Sequence, residues 1–316
     1  MQTQARVVIL STGGTIAGLA ATADDDAAYR SAQVGVDALV ATLRVPPGVA
    51  VETEGVAQID SKDMDFATWR SLALAIARHL ARPEVAGVVV THGTDTLEET
   101  AYFLSHVVAA GKPVVLTGAM RPASSRNADG PGNLEDAIAL VAEASLSGVV
   151  VAFAGEVHAP QDVRKAQPRR VDAFTSGAAG PLARIANGRV EGLRDLPAVG
   201  APIGIEALPA DPTDWPWVEI VASAAGVDGR SVALLAQAGV DGLVVAATGN
   251  GTVHQRLETA LADAAARGIA VVRSSRCLDG AIVDAEVNAF PSAGALTPVK
   301  ARIELILDLL ARRSKA

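Results

Sequence analysis

The sequence holds a single cysteine, Cys277, so no internal disulfide can form. Aromatic residues make up only 3% of the 316 positions, while alanine alone supplies about a fifth. The core is therefore expected to be built from small aliphatic side chains packed closely. No apolar run approaches the roughly 20 residues that a membrane-crossing helix requires. Positive charge is scarce as well: 27 basic residues stand against 35 acidic ones, a formal charge of −8, and the pI is near 5.2. That balance argues against nucleic acid or an anionic membrane surface as partner. Lysine is scarcest of all, with Lys62, Lys112, Lys165, Lys300 and Lys315 making up the whole set.

What is present is hydrophobic. Half of the residues are apolar and 20% are charged, and the mean hydropathy is +0.30. Such a composition excludes intrinsic disorder, and the length suggests about two domains. From Met1 the chain runs within a few residues into Val7-Val8-Ile9-Leu10, a buried-strand pattern. A secretory signal needs a longer apolar stretch and a small-residue cleavage site. Cytoplasm is the expected compartment, or periplasm for a trimmed chain.

Short valine-rich runs alternate with longer alanine-rich stretches of helical period. Strands are expected at Arg6–Ser11, Val85–Thr91, Pro113–Thr117, Gly148–Ala154, Trp217–Val221, Gly242–Ala246 and Gly268–Arg273. Helices are expected at Phe66–Ala81, Leu97–Ala110, Leu134–Ser145, Arg230–Ala238, Val253–Arg267 and Lys300–Ala311. Strand followed by helix implies βα crossovers and an α/β fold, mostly parallel, with helices on both faces of the sheet. Between Glu191 and Pro216 the period breaks and five prolines fall. We therefore expect a larger amino-terminal domain (1–190) carrying the loops below, a linker (191–216) and a smaller carboxy-terminal α/β domain (217–316).

Open α/β sheets bind ligands at the carboxyl ends of their strands, and the polar loops follow strands here. Ser11 to Gly18 reads STGGTIAG, and its glycine spacing fits neither the P-loop nor the dinucleotide fingerprint. A tight strand-to-helix turn accounts for it equally well. Thr91 to Thr96 reads THGTDT, and Glu98 and Glu99 follow in the next turn. Thr94 or Asp95 as a helix cap explains this loop unless other loops join it. There is no Gly-x-Ser-x-Gly elbow and no His-Glu-x-x-His, and the five histidines are scattered, so no metal cluster assembles and no cofactor is implied. His92 suits structural hydrogen bonding, and Cys277 a buried small hydrophobe. Lys62 and Lys165 both follow strand-like segments, although a solvated surface charge is the commoner fate of any one lysine.

Taken together these loops resemble the bacterial-type L-asparaginases, most closely their type II branch. The likeness rests on Thr12-Gly13-Gly14-Thr15-Ile16-Ala17-Gly18 and on THGTDTLEETA from Thr91 to Ala101. Gly118-Ala119-Met120-Arg121-Pro122, Ala128-Asp129-Gly130-Pro131 and Val271-Val272-Arg273-Ser274-Ser275-Arg276 extend it from end to end. The resemblance implies hydrolysis of L-asparagine to L-aspartate and ammonia through an acyl-enzyme, with weaker action on glutamine. It implies Thr15 as nucleophile, Tyr29 on a lid as its base, and a second set formed by Thr94, Asp95 and Lys165. Ser61 and Asp95 match positions that hold the substrate α-carboxylate and α-amino group. Asn250 and Glu286 match residues contributed from a neighbouring subunit, with Glu286 orienting Tyr29, which implies a homo-oligomer, commonly a tetramer of intimate dimers. Lys165 keeps two open roles, base or fixed cation, because a neighbouring Asp95 and burial act oppositely on its pKa.

Two departures stand out. Lys62 occupies a substrate-pocket position where type II relatives carry glutamine, and no export signal is visible. Two other readings compete with an asparaginase: a broad glutaminase-asparaginase, and a non-catalytic amino-acid-binding protein on the same scaffold. An amidotransferase subunit and a Rossmann nucleotide binder fit the sequence less well.

Overall fold

The structure, a computed structural model, describes residues 5–22, 29–41, 43–143, 146–192, 194–283 and 290–314. They form two compact units, Met1–Ile205 and Glu206–Ala316. In chain order the first carries β1 (Ala5–Gly13), β2 (Leu19–Ala20), β3 (Tyr29–Arg30), β4 (Val49–Ile59), β5 (Val85–Thr91) and β6 (Pro113–Thr117). Then come β7 (Gly148–Phe153), β8 (Glu156–His158), β9 (Arg164–Lys165), β10 (Phe174–Thr175), β11 (Ala183–Ala186) and β12 (Arg189–Gly192). Its helices are α1 (Val36–Val40), α2 (Phe66–Leu80), α3 (Leu97–Val107) and α4 (Gly130–Glu143).

The main sheet has the order β12-β11-β8-β7-β6-β5-β1-β4. From β4 to β7 every pairing is parallel, and from β7 to β12 every pairing is antiparallel. The valine runs sit in the parallel half because both of its faces are covered. Val7, Ile9, Val89, Val115 and Val150 pack with Leu134, Ala137 and Ile138 of α4. The alternate residues Val8, Leu10, Val88 and Val90 are equally sealed from solvent. Helices α2 and α3 stack Trp69 on Phe103, ring centroids 4.7 Å apart.

The second unit is a parallel three-stranded sheet, β13 (Val218–Ala222), β14 (Gly242–Ala247) and β15 (Ala270–Ser275). It is accompanied by α5 (Arg230–Ala238), α6 (Gln255–Ala266) and α7 (Pro298–Arg313). Leu243 and Val245 of β14 pack with Val232 of α5 and Leu257 and Leu261 of α6. The chain is thus an α/β protein with one large, mostly parallel sheet and a smaller carboxy-terminal unit.

Three differences from the sequence expectations have physical reasons. Strands β8, β11 and β12 were not foreseen, because each is four residues or fewer and at the sheet's end needs no continuous apolar run. Strand β12 also runs into the first residues of the expected linker. Helix α4 starts at Gly130 rather than Leu134, since a proline in the first turn has no N–H to lose. Among the described residues no helix is long and apolar enough to cross a membrane.

Candidate active site

Three parallel strands, β1, β5 and β4, deliver their following loops to one sheet edge. Glycines let those loops nest. Gly13 and Gly14 have φ of 103° and 82°, values that side chains rarely adopt. A Cβ on Gly14 would land on the backbone of Gly93, and one on Gly93 would land on the side chain of Ser61. The Gly14 N–H donates to the Ile59 carbonyl at 3.0 Å, tying the β1 loop to the end of β4.

After this turn comes a short 3-10 segment, Thr15–Ala17, in which Thr15 is buried. Its Oγ1 lies 2.7 Å from the Tyr29 hydroxyl. Tyr29 is held there because β3 pairs with β2, matching Ala20 with Tyr29. The chain beyond it returns to the same turn: Ala32 N–H donates to Gly14 O at 3.0 Å and Val34 N–H to Ala17 O at 2.9 Å.

On the opposite wall, Lys165 Nζ donates to Thr94 Oγ1 at 2.9 Å and to Asp95 Oδ1 at 2.7 Å. Lys165 sits on β9, opposite Phe174 of β10, and its backbone N–H donates to the Glu98 carboxylate at 2.5 Å. An ammonium that donates to Thr94 Oγ1 leaves that hydroxyl's own proton for another acceptor. Ser61 joins the wall from the β4 side, where its Oγ accepts the Asp95 N–H at 3.2 Å and its carbonyl accepts the Thr96 hydroxyl at 2.8 Å. The capping account of Thr94 and Asp95 is corrected here. The helix cap is Thr96, with no side-chain capping bond, so neither of the two residues before it is spent on α3.

Behind the wall His92 is fully buried, and burial pushes its pKa down to about 4. It is neutral at pH 7, and its partners fix its tautomer. Thr100 Oγ1 accepts from Trp69 Nε1 at 2.8 Å and donates to His92 Nε2 at 2.9 Å. Nδ1 therefore carries the proton and donates to the Gly93 carbonyl at 2.7 Å. His92 thus positions the glycine against which Gly14 and Ser61 pack.

Thr15, Tyr29, Ser61, Thr94, Asp95 and Lys165 all line one cavity of about 480 Å³. Asp60, Met120, Arg121, Pro168 and Arg169 complete its wall, and none of these five is among the site residues expected from the sequence. Asp129 seats the Met120–Arg121 corner by accepting both backbone N–H groups at 2.9 Å. The Ala128-Asp129-Gly130-Pro131 match was the available signal. Arg169 had none.

Lys62 is not part of the cavity wall. Its ammonium pairs with Asp63 at 2.6 Å and Asp60 at 3.7 Å on the surface, and the Asp63 bond holds its pKa above the usual lysine value. In the second unit the Asn250 carboxamide exchanges two hydrogen bonds with the Val283 backbone, at 2.9 and 2.8 Å. Ser275 and Arg273 hold the carbonyls on either side of it, those of Gly249 and Gly251. Glu286 lies outside the described residues. Cys277 is exposed, which corrects its expected burial, because it follows β15 in an irregular segment rather than within the sheet. Among the described residues no group of three or more histidine, cysteine, aspartate or glutamate side chains is placed to hold a metal.

Comparison with known proteins agrees from end to end. The family described as "Asparaginase, N-terminal" matches residues 6–198, and the "Glutaminase/Asparaginase C-terminal domain" matches residues 217–316. A protein of Haemophilus influenzae named "Probable L-asparaginase periplasmic" is 38% identical over 314 residues, 96% of this chain and 88% of the relative. A glutaminase-asparaginase of Pseudomonas fluorescens biotype A is 38% identical over 282 residues, 88% of this chain and 77% of the relative. The crystal structure of a "Probable Cytoplasmic L-asparaginase" from Campylobacter jejuni superimposes with a TM-score of 0.90 at 36% identity. That alignment covers 96% of this chain and 95% of the other. With both domains matched and the fold shared, the chain belongs to the asparaginase family.

Proposed function

We propose that this protein hydrolyses L-asparagine to L-aspartate and ammonia, with Thr15 as nucleophile. The observation that carries the reading is a pair of hydroxyls lining one cavity, each with its own partner. Thr15 Oγ1 has Tyr29 at 2.7 Å, and Thr94 Oγ1 has Lys165 at 2.9 Å. A threonine hydroxyl attacks a carboxamide carbon only as its proton leaves. Tyr29 is the group within reach, and it accepts that proton as its own passes on to Glu286. Thr94 offers an O–H to the developing oxyanion or to the departing ammonia, and in the second step to the hydrolytic water. Lys165 serves as the fixed cation that orients Thr94 and holds Asp95. Ser61 and Asp95 receive the α-carboxylate and α-ammonium, so the amide end of the substrate is directed towards the two threonines.

The site is completed by a second copy of the chain, which contributes Asn250 and Glu286 from its carboxy-terminal unit. Exposed apolar residues Leu278 and Val283 flank that region, as a surface covered on assembly requires. A tetramer of intimate dimers is the assembly proposed, and cytoplasm the compartment. A broader glutaminase-asparaginase activity is the second reading, favoured by the Pseudomonas fluorescens relative. Ammonia release from asparagine and glutamine side by side separates the two. In the same assay Thr15→Ala is expected to abolish turnover while leaving fold and binding in place. Turnover within about tenfold of the unsubstituted chain removes Thr15 from the nucleophile role, because losing a nucleophile costs several kcal/mol of transition-state stabilisation.

A further inference from the structure

Lys165 reaches the cavity from a strand outside the main sheet, since among the described residues β9 pairs with β10 in a two-stranded sheet of their own. Phe174 of β10 rests against Phe153 of β7, ring centroids 4.8 Å apart, an apolar contact that carries no direction. Direction comes from the backbone. Successive N–H groups of a strand point to opposite sides, and the Ala166 N–H is turned to β10, where the Ala173 carbonyl accepts it at 2.8 Å. The Lys165 N–H therefore points to the open edge of β9. There the Glu98 carboxylate, from the first turn of α3 and 67 residues away in the chain, accepts it at 2.5 Å. At the other end of the residue the ammonium donates to Thr94 Oγ1 at 2.9 Å and to Asp95 Oδ1 at 2.7 Å. One short stretch, Thr94 to Glu98, holds Lys165 by its backbone and by its ammonium together.

We propose that Glu98 is a positioning residue for the hydrolysis: by fixing the Lys165 backbone it sets where the ammonium lies against Thr94. The inference rests on the proposed reaction, in which Lys165 orients that threonine. A lysine ammonium rides on a flexible four-carbon stem, so its resting place depends on where the stem begins. Glu98 does not line the cavity and acts through Lys165. What the role demands is reach and an acceptor oxygen rather than charge. A carboxamide of the same length meets that demand, and a carboxylate one methylene shorter does not.

The test is steady-state ammonia release from asparagine by full-length variants, with a thermal melt of each. Glu98→Asp keeps the charge and loses the reach; kcat should fall about tenfold while KM changes less than about threefold, as displacing a positioned group does. Glu98→Gln keeps the reach and loses the charge, and should hold kcat within about threefold of the unsubstituted chain. In a Lys165→Met background Glu98→Asp should cost nothing further, because the group it places is gone. Full kcat in Glu98→Asp, a greater loss in Glu98→Gln than in Glu98→Asp, or the same added loss in the Lys165→Met background overturns the proposal. So does a fall in kcat that follows the melting temperature alike in both variants, which would make the role structural. Unaltered kcat in Lys165→Met alone removes the role of Lys165 on which the inference stands, and no ammonia from the unsubstituted chain removes the amidase reading itself.

Discussion

Gly14 and Gly93 meet backbone to backbone, leaving no room for a Cβ on Gly14, and Gly93 in turn leaves none between itself and Ser61. The contact joins the loops after β1, β4 and β5 into one surface. Gly93→Ala should force Ser61 aside and destabilise the protein by about 1–3 kcal/mol, as overpacking does. A thermal melt would read that cost, and activity should fall further than the melt alone accounts for. A variant with normal activity would show that the loops tolerate separation.

Lys165→Met removes the donor to Thr94 and leaves the Asp95 carboxylate without its cation. The expected outcome is a fall in kcat of about a hundredfold or more, within the range of one acid–base or electrostatic group. Asp95 should also hold the α-ammonium in an altered position, raising KM. Retention of kcat with only KM raised would assign the lysine to binding alone.

His92 gives the fold a pH dependence whose sign can be worked out. Its folded pKa, about 4, lies below the ordinary 6.5, so the unfolded chain binds the extra proton first. Its contribution is complete above pH 6.5 and is lost as the pH falls towards 4. The difference amounts to up to about 3 kcal/mol. Asp136 acts in the opposite sense over part of the window, since burial raises its pKa to about 6. Comparing Tm against pH for the unsubstituted chain and His92→Gln isolates the histidine. A His92→Gln curve parallel to the parent between pH 6.5 and 4.5 would contradict the assignment.

Lys62 is not among the residues that line the cavity, and its ammonium is paired with Asp63 and Asp60. Lys62→Gln should therefore change KM for asparagine by less than about threefold, as an exposed ion pair contributes little. A tenfold rise in KM at constant kcat would make it a substrate contact after all.

If Asn250 and Glu286 act on a neighbouring copy, two inactive chains can rescue each other. Glu286→Ala and Thr15→Ala proteins, mixed and refolded together, should recover about a quarter of full activity in random dimers carrying one intact shared site in the mixed half. Sedimentation of a fully active monomer would refute shared sites.

The loops that carry Thr15, Ser61 and Thr94 were legible because each follows a strand or strand-like run, and a parallel sheet gathers such loops at one edge. Lys165 instead arrives on the β9–β10 hairpin, after the antiparallel strand β8. The parallel core was legible for a related reason: runs such as Val88-Val89-Val90 lack alternation only when both faces are buried. What stayed hidden depended on pairings that leave a faint imprint on the sequence. Strands β9 and β10 are two residues each, so nothing local announces that a hairpin brings Arg169 to the cavity wall. Thr96 as cap was hidden by its neighbours, since Thr94 and Asp95 are equally good capping types. The exposure of Cys277 was masked by residue type alone, as free cysteines are usually buried.

The hydrogen bond from Trp69 into the Thr100–His92–Gly93 relay has a practical consequence. The other tryptophans, Trp215 and Trp217, both lie in the second unit, so Trp69 is the sole indole of the unit that carries the cavity. The indole is linked through three hydrogen bonds, a hydroxyl and an imidazole to the Gly93 backbone beside Ser61 and Thr94. In a chain with Trp215 and Trp217 replaced by phenylalanine, this indole becomes a built-in optical probe. Ligand arrival and loop rearrangement could then be timed by fluorescence without attaching any label.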